Sequence, residues 1–243
     1  MFSFASQLVC FQDKNFLYVL VLAFLPIWLW LGFLKREDKH HESFYRWFFI
    51  FLLGFGALIL SYFGENFLTQ IGLTDQSNPS AYFFYSALIE ELAKFLIVFV
   101  FVFSWQGQRQ PIEVMTDMGL VALGFAFFEN FVVLCNSVLA GQFALIIIAI
   151  LRFLGANFLH LLASVLIGFG YAESLKLRRI FPFLISFVFA VALHSSYNLL
   201  IALNNGENIY YIFPILWAAF FLVLKEFDII KLKDERVRLH PSN

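Results

Sequence analysis

The sequence predicts an all-α fold, a polytopic bundle of about seven transmembrane helices, on three observations. Of 243 residues, 61% are hydrophobic and only 14% charged, where a soluble domain of this size carries nearer a quarter charged residues. Seven stretches, about 15–34, 44–64, 80–104, 115–139, 144–172, 181–203 and 209–225, are apolar enough to span, a helix needing about 20 such residues to cross roughly 30 Å of hydrocarbon. Lys and Arg fall in alternate loops between these stretches, the charge pattern of a multi-pass protein.

The first stretch is too long for the core of a signal peptide, and no small-residue cleavage site follows it. Lys35, Arg36 and Lys39 come next, with Arg46 just inside the second stretch. Arg109 follows the third stretch and Lys176, Arg178 and Arg179 the fifth. The tail carries Lys225, Lys231, Lys233, Arg236 and Arg238, and the opposite side has only Lys14. Seven spans then place the N-terminus outside and the C-terminus in the cytoplasm, in the cell (inner) membrane. Trp47, Trp105, Tyr62, Tyr82 and Tyr210 lie near span ends, where interfacial anchors belong. Residues 1–243 read as one integral-membrane domain with a motif-bearing core at about 80–203 and flanking spans 15–34, 44–64 and 209–225.

The 35 Phe residues suit a surface that faces lipid tails. A net charge of −1 gives nucleic acid no electrostatic basis as a partner; the bilayer is the partner that the composition names. Cys10 and Cys135 form neither a metal pattern nor a disulfide framework, although one bridge between them is possible. Nothing in the sequence fixes an oligomeric state.

Inside the spans lie Glu90, Glu91, Lys94, Glu129, Arg152, His160 and His194. Charges at such depth are costly, face the bundle interior and usually carry function. At 1.5 Å per residue, Glu90 and Glu129 lie roughly 15 Å, and His194 roughly 14 Å, from the outer ends of their spans. The fifth span would be roughly 42 Å long if straight, so it must tilt, protrude or break, with Gly155 a natural place. His160 then joins the same level, with Arg152 above it toward the outer surface. Glu90 and Lys94 stand four apart in the order that favours a helical ion pair. Arg152 is free to pair with Glu129, and Asn130 points away from Glu129 as interhelical glue. Glu113 and Asp117 read as interfacial. His194 and Asn198 share a face of the sixth span.

Two chemistries fit this set. Glu129, His160 and His194 with one of Glu90 or Glu91 would hold a divalent metal such as zinc, which takes three protein ligands and a water in a catalytic site, and the other Glu would be the general base. Without metal, a Glu tuned by burial and by Lys94 takes a proton from water, while a His and Asn198 stabilise the oxyanion. Either way the reaction is hydrolysis of an amide. Cys135 has no base nearby in sequence and Ser195 sits beside His194, so neither is a nucleophile.

The ordered motifs Glu90-Glu91-x-x-Lys94, Gly124-Phe125-Ala126-x-x-Glu129-Asn130, Arg152 and His160 followed by Gly168-Phe169-Gly170-Tyr171, and His194-x3-Asn198 resemble the PrsW family of bacterial intramembrane proteases. That family is similar in turn to the CAAX-protease and bacteriocin-processing enzymes. The resemblance covers the third to sixth spans, about half of the chain. It implies cleavage of a membrane-anchored, single-span protein at its extracytoplasmic side, typically an anti-sigma factor in a stress-response cascade. It implies Glu90, Glu91, Glu129, His160 and His194 as site residues, with Lys94, Arg152 and Asn198 in support, and it leaves open whether zinc takes part. Two other readings compete. A proton- or cation-coupled transporter would also use buried Glu and His, but the chain lacks two matching halves with broken helices. A silent scaffold binding a partner helix is the third.

Overall fold

The computed structural model describes residues 10, 11, 16–37, 43–74, 77–104 and 110–203, and 214–228 apart from 215, 222 and 226. Lys14, Lys39, Trp105, Arg109, Tyr210, Lys231, Lys233, Arg236 and Arg238 lie outside the described residues. The chain forms α1 (Phe16–Glu37), α2 (Phe44–Gln70), α3 (Pro79–Val98), α4 (Pro111–Asn136), α5 (Gln142–Leu154), α6 (Ala156–Leu177) and α7 (Phe181–Leu203). A shorter apolar helix covers Leu216–Lys225. Among the described residues all regular structure is helical. The helices α1, α2, α4, α7 and the α5–α6 stretch are long and apolar enough to cross a membrane. Helix α3 carries Glu90, Glu91 and Lys94 and runs on through a π-helical turn, Phe99–Phe103.

Local chemistry sets the helix ends. The hydroxyl of Ser43 accepts the Arg46 amide at the start of α2, and the Asn78 side chain accepts the Ala81 amide at the start of α3. Such acceptors satisfy donors that a helix leaves unpaired in its first turn. Pro79 and Pro111 open α3 and α4, where a missing N–H costs nothing. The expected fifth span is two helices. The α-helix stops at Leu154, Gly155 takes φ −113° and ψ −83°, and α6 begins at Ala156. Helix α2 runs six residues past its expected end at 64 and α4 begins four residues before its expected start at 115.

Helix α4 is the hub. Its residues from Val114 to Ala126 are buried on every side, as an all-round apolar helix must be. Small residues let its neighbours come close. A Cβ on Gly124 would collide with the backbone of Phe51 in α2, and one on Gly168 of α6 would lie 2.9 Å from Met115 Cα. Helices without a hydrophobic drive between them depend on such close packing. On α7, Ser186 packs where a Gly170 Cβ would stand.

These contacts fix the directions of the helices. Arg46 grips Asp117 through two bonds of 2.8 and 2.9 Å, so α2 and α4 start at one end of the bundle. Lys35, Arg36, Lys176, Arg178 and Arg179 lie at this basic end. The opposite end holds the α2–α3 turn and a disulfide between Cys10 and Cys135, whose Cα atoms are 5.2 Å apart. The bridge that the sequence left as a mere possibility therefore ties the segment before α1 to the end of α4. Asp117, expected at the interface, is fully buried and held by Arg46.

Candidate active site

The charged groups of the site come from α3, α4, α5, α6 and α7 and face the same interior. Glu91 and Lys94, one turn apart on α3, are both wholly enclosed, and the Lys94 ammonium lies 2.6 Å from Glu91 Oε1. The expected pairing of Lys94 with Glu90 is not the one formed: Glu91 takes the ammonium, at a spacing of three instead of four. Glu91 is engaged at both oxygens. Its Oε1 also receives His194 Nδ1 at 2.8 Å from α7, and its Oε2 receives the Ser164 hydroxyl at 3.2 Å from α6. One carboxylate thus ties three helices together.

Donor and acceptor capacity then fixes both imidazoles. Glu91 accepts, so His194 Nδ1 carries the proton and, in the neutral ring, Nε2 keeps its lone pair. That Nε2 lies 3.7 Å from Glu90 Oε2. Lys94 only donates, so His160 Nδ1, at 3.1 Å from its ammonium, is an acceptor. His160 Nε2 then carries the proton and donates to Glu129 Oε2 at 3.1 Å. The two rings meet edge to face, 4.9 Å between centroids. Below them the Lys94 ammonium sits 4.8 Å over the Phe125 ring, with a cation–π contact added to its ion pair.

Glu129 and Arg152 form the rim. Arg152 Nη2 donates to Glu129 Oε2 at 2.6 Å, and Arg152 Nε donates to the Asn130 side chain. Asn130 also donates to the Ala23 carbonyl of α1 at 3.4 Å, so it anchors Arg152 as well as joining helices. The Gly155 break allows this pairing: it ends α5 just after Arg152, while α6 carries His160 down into the core. Side-chain exposure rises from zero at Glu91 and Lys94, through 12% at Glu90, to 17% at Arg152 and 29% at Glu129. The site therefore opens toward the end of the bundle that bears the disulfide.

The structure brings together seven of the eight side chains singled out in the sequence. Asn198 is the exception: it is half-buried one turn beyond His194 and joins no hydrogen bond of the site among the described residues. Its neighbour Tyr197 is buried against Gly155 instead. The donor atoms of Glu90, His160 and His194 lie within 4.8 Å of one another. Of the expected set of Glu129, His160, His194 and one of Glu90 or Glu91, Glu90 and the two histidines converge, while Glu129 is held by Arg152 and His160. Ser164, Ser86 and Glu65 were missed. Ser164 stands four residues from His160 and Ser86 four from Glu90, a same-face spacing visible in the sequence. Glu65 fell one residue outside the expected second span, and only the greater length of α2 brings it inside.

Two comparisons with known proteins bear on this constellation. The family described as PrsW family intramembrane metalloprotease matches residues 42–224, from α2 to the last helix and well beyond the motif-bearing half. The Protease PrsW of Geobacillus kaustophilus (strain HTA426) is 30% identical over 151 residues, 59% of this chain and 63% of that protein. The chain thus spans less than two thirds of the length of the curated relative it matches. No solved structure matches it. With the family match running through every helix that builds the site, the chain belongs to the PrsW family of intramembrane metalloproteases.

Proposed function

We propose that this multi-pass membrane protein is a peptidase that hydrolyses a peptide bond of a membrane-anchored protein in the outer half of the bilayer. The observation that carries this is the division of labour between the adjacent glutamates. Glu91 takes three hydrogen bonds and is engaged at both oxygens, while the buried Glu90 Oε2 has no hydrogen-bond partner among the described residues and faces the free Nε2 of His194. Glu90 is therefore the base. A water between it and His194 loses its proton to Glu90 and attacks the scissile carbonyl, and Glu90 then returns that proton to the leaving amine as the C–N bond breaks. Arg152 and the Nε2–H of His160, both now held by Glu129, are the donors nearest the mouth for the oxyanion. Lys94 keeps His160 in the tautomer that donates, and Glu91 keeps His194 in the tautomer that accepts.

A divalent ion fits the same donors. Lys94 and Arg152 already balance Glu91 and Glu129, which leaves Glu90 as the acid whose charge such an ion would offset. Glu90 and His194 would hold it with free donor atoms, and His160 would join only as its other tautomer, with Lys94 moved off Nδ1 and Glu129 off Nε2. Zinc there would polarise the carbonyl and acidify a bound water. The donor residues suit zinc.

We read the disulfide end as extracytoplasmic. The basic residues collect at the other end, in keeping with the positive-inside rule, and disulfides persist in oxidising compartments. Deeper than the site, α3, α4 and α6 pack an apolar core around Met115, Met118, Leu120 and Val98. That supports a one-sided cleft, which suits a protease better than a transporter. With the family resemblance, this favours the cell membrane as location and a single-span regulator such as an anti-sigma factor as substrate, cut in a stress response. The test is cleavage of a panel of single-span membrane proteins by the purified protein in detergent. Wild type should cut at least one; Glu90→Gln and His194→Ala should not. Loss with a chelator and recovery with zinc would make it a metalloenzyme. Cleavage by Glu90→Gln at the wild-type rate would overturn the assignment.

A further inference from the structure

We propose that Glu65 of α2, acting through Ser86, is a positioning residue that aims Glu90 at the histidines. The inference rests on Glu90 being the group that faces substrate. Ser86 lies one turn before Glu90 on α3, on the same face. Its hydroxyl is 2.8 Å from Glu65 Oε1 and 3.4 Å from Glu90 Oε1. A hydroxyl has a single proton and rotates freely unless held. With one proton on the pair of acids, the hydroxyl donates to one and accepts from the other, and Ser86 Oγ is thereby fixed against one oxygen of Glu90. The other oxygen, Oε2, is the one turned toward His194 Nε2. Partners of this kind, one shell out from a reacting or ligating carboxylate, set its orientation.

A second feature of the fold serves the same contact. At Gly64, next to Glu65, α2 and α3 approach so closely that a Cβ would stand 2.7 Å from Ile89 Cγ2, next to Glu90. The glycine lets α2 lean in at the level of the two acids. The Thr69 hydroxyl, 2.9 Å from the Glu65 carbonyl, and its 2.8 Å contact with Thr74 brace this last turn of α2 against the α2–α3 connection. Neither acid belongs to the apolar packing of the two helices.

The test uses the full-length protein with Ser86→Ala, Ser86→Thr, Glu65→Ala and the Ser86→Ala/Glu65→Ala double variant. On a single-span substrate that the wild type cleaves, Ser86→Ala and Glu65→Ala should each lower kcat about tenfold or more with KM little changed. The double variant should be no worse than Ser86→Ala alone, because Glu65 acts only through Ser86. Ser86→Thr, which keeps the hydroxyl, should recover most of the rate. Additive losses, or a change in KM alone, would overturn the proposal. Two readouts need no substrate: Zn2+ affinity by calorimetry, and the Glu90 side chain in an experimental structure of Ser86→Ala. If the wild type cleaves nothing, the peptidase reading fails by itself. Glu90 found unmoved in Ser86→Ala would sink the positioning role in either case.

Discussion

His194 Nδ1 and Glu91 Oε1 meet at 2.8 Å in the most enclosed part of the bundle, joining α7 to α3. The same oxygen takes the Lys94 ammonium at 2.6 Å. Removing the charge of Glu91 leaves a buried cation without its partner, which costs about 3–5 kcal/mol. Glu91→Gln should therefore lower thermal stability in detergent and abolish cleavage together. Glu90→Gln, whose Oε2 has no partner to lose, should abolish cleavage, by about 10² to 10⁴ in rate, with stability close to wild type. Unfolding midpoints beside cleavage rates decide it; equal destabilisation by both changes would remove the distinction drawn between the two acids.

Lys94 is expected to act on His160 as well as on Glu91. Lys94→Met uncovers the Glu91 charge and should cost about 3–5 kcal/mol. Pairing it with Glu91→Gln removes both buried charges and should restore much of the stability, since replacing an enclosed ion pair with neutral groups is often tolerated. Activity should stay lost, because His194 loses its carboxylate and His160 its fixed tautomer. A double variant that cleaves normally would show that neither tautomer matters.

The depth of the site was legible in the sequence because charge inside an apolar run has few explanations, and a rise of 1.5 Å per residue turns position into level. The helical bundle and the Arg152–Glu129 pair followed from the same reasoning. Which carboxylate Lys94 would choose was not legible. Spacings of three and four residues both place side chains on one helix face, and the choice depends on Ser164 and His194 also binding Glu91. Asn198 was chosen for its spacing from His194, but on a helix packed on several sides spacing does not say which neighbour a face meets. Glu65 was lost to a boundary: hydropathy ends a span where charge begins, while α2 continues to Gln70.

The disulfide gives a test of topology. Cys10 and Cys135 are bridged and no other cysteine exists, so a membrane-impermeant maleimide should label nothing until a reductant is added. After mild reduction, labelling from the outer face of intact cells should appear and should vanish in Cys135→Ser/Cys10→Ser. Labelling confined to inverted vesicles would reverse the orientation proposed for the chain.

Gly155 couples the rim of the site to its floor. The residue ends α5 three positions after Arg152, and Tyr197 of α7 fills the space where its Cβ would stand, with Cζ at 2.9 Å from that point. Gly155→Ala must therefore displace either Tyr197, three residues beyond His194, or α5 and with it Arg152. Overpacking of this kind costs about 1–3 kcal/mol. The larger effect should fall on kcat, because Arg152 leaves Glu129 and His160 loses the fixed acceptor of its Nε2–H. Tyr197→Phe removes the hydroxyl, the atom in the worst collision, but leaves the ring carbon in place. In the Gly155→Ala background it should restore part of the rate and part of the stability, whereas alone it should change the rate little. Wild-type kcat in Gly155→Ala would mean that the break between α5 and α6 serves only the path of the chain.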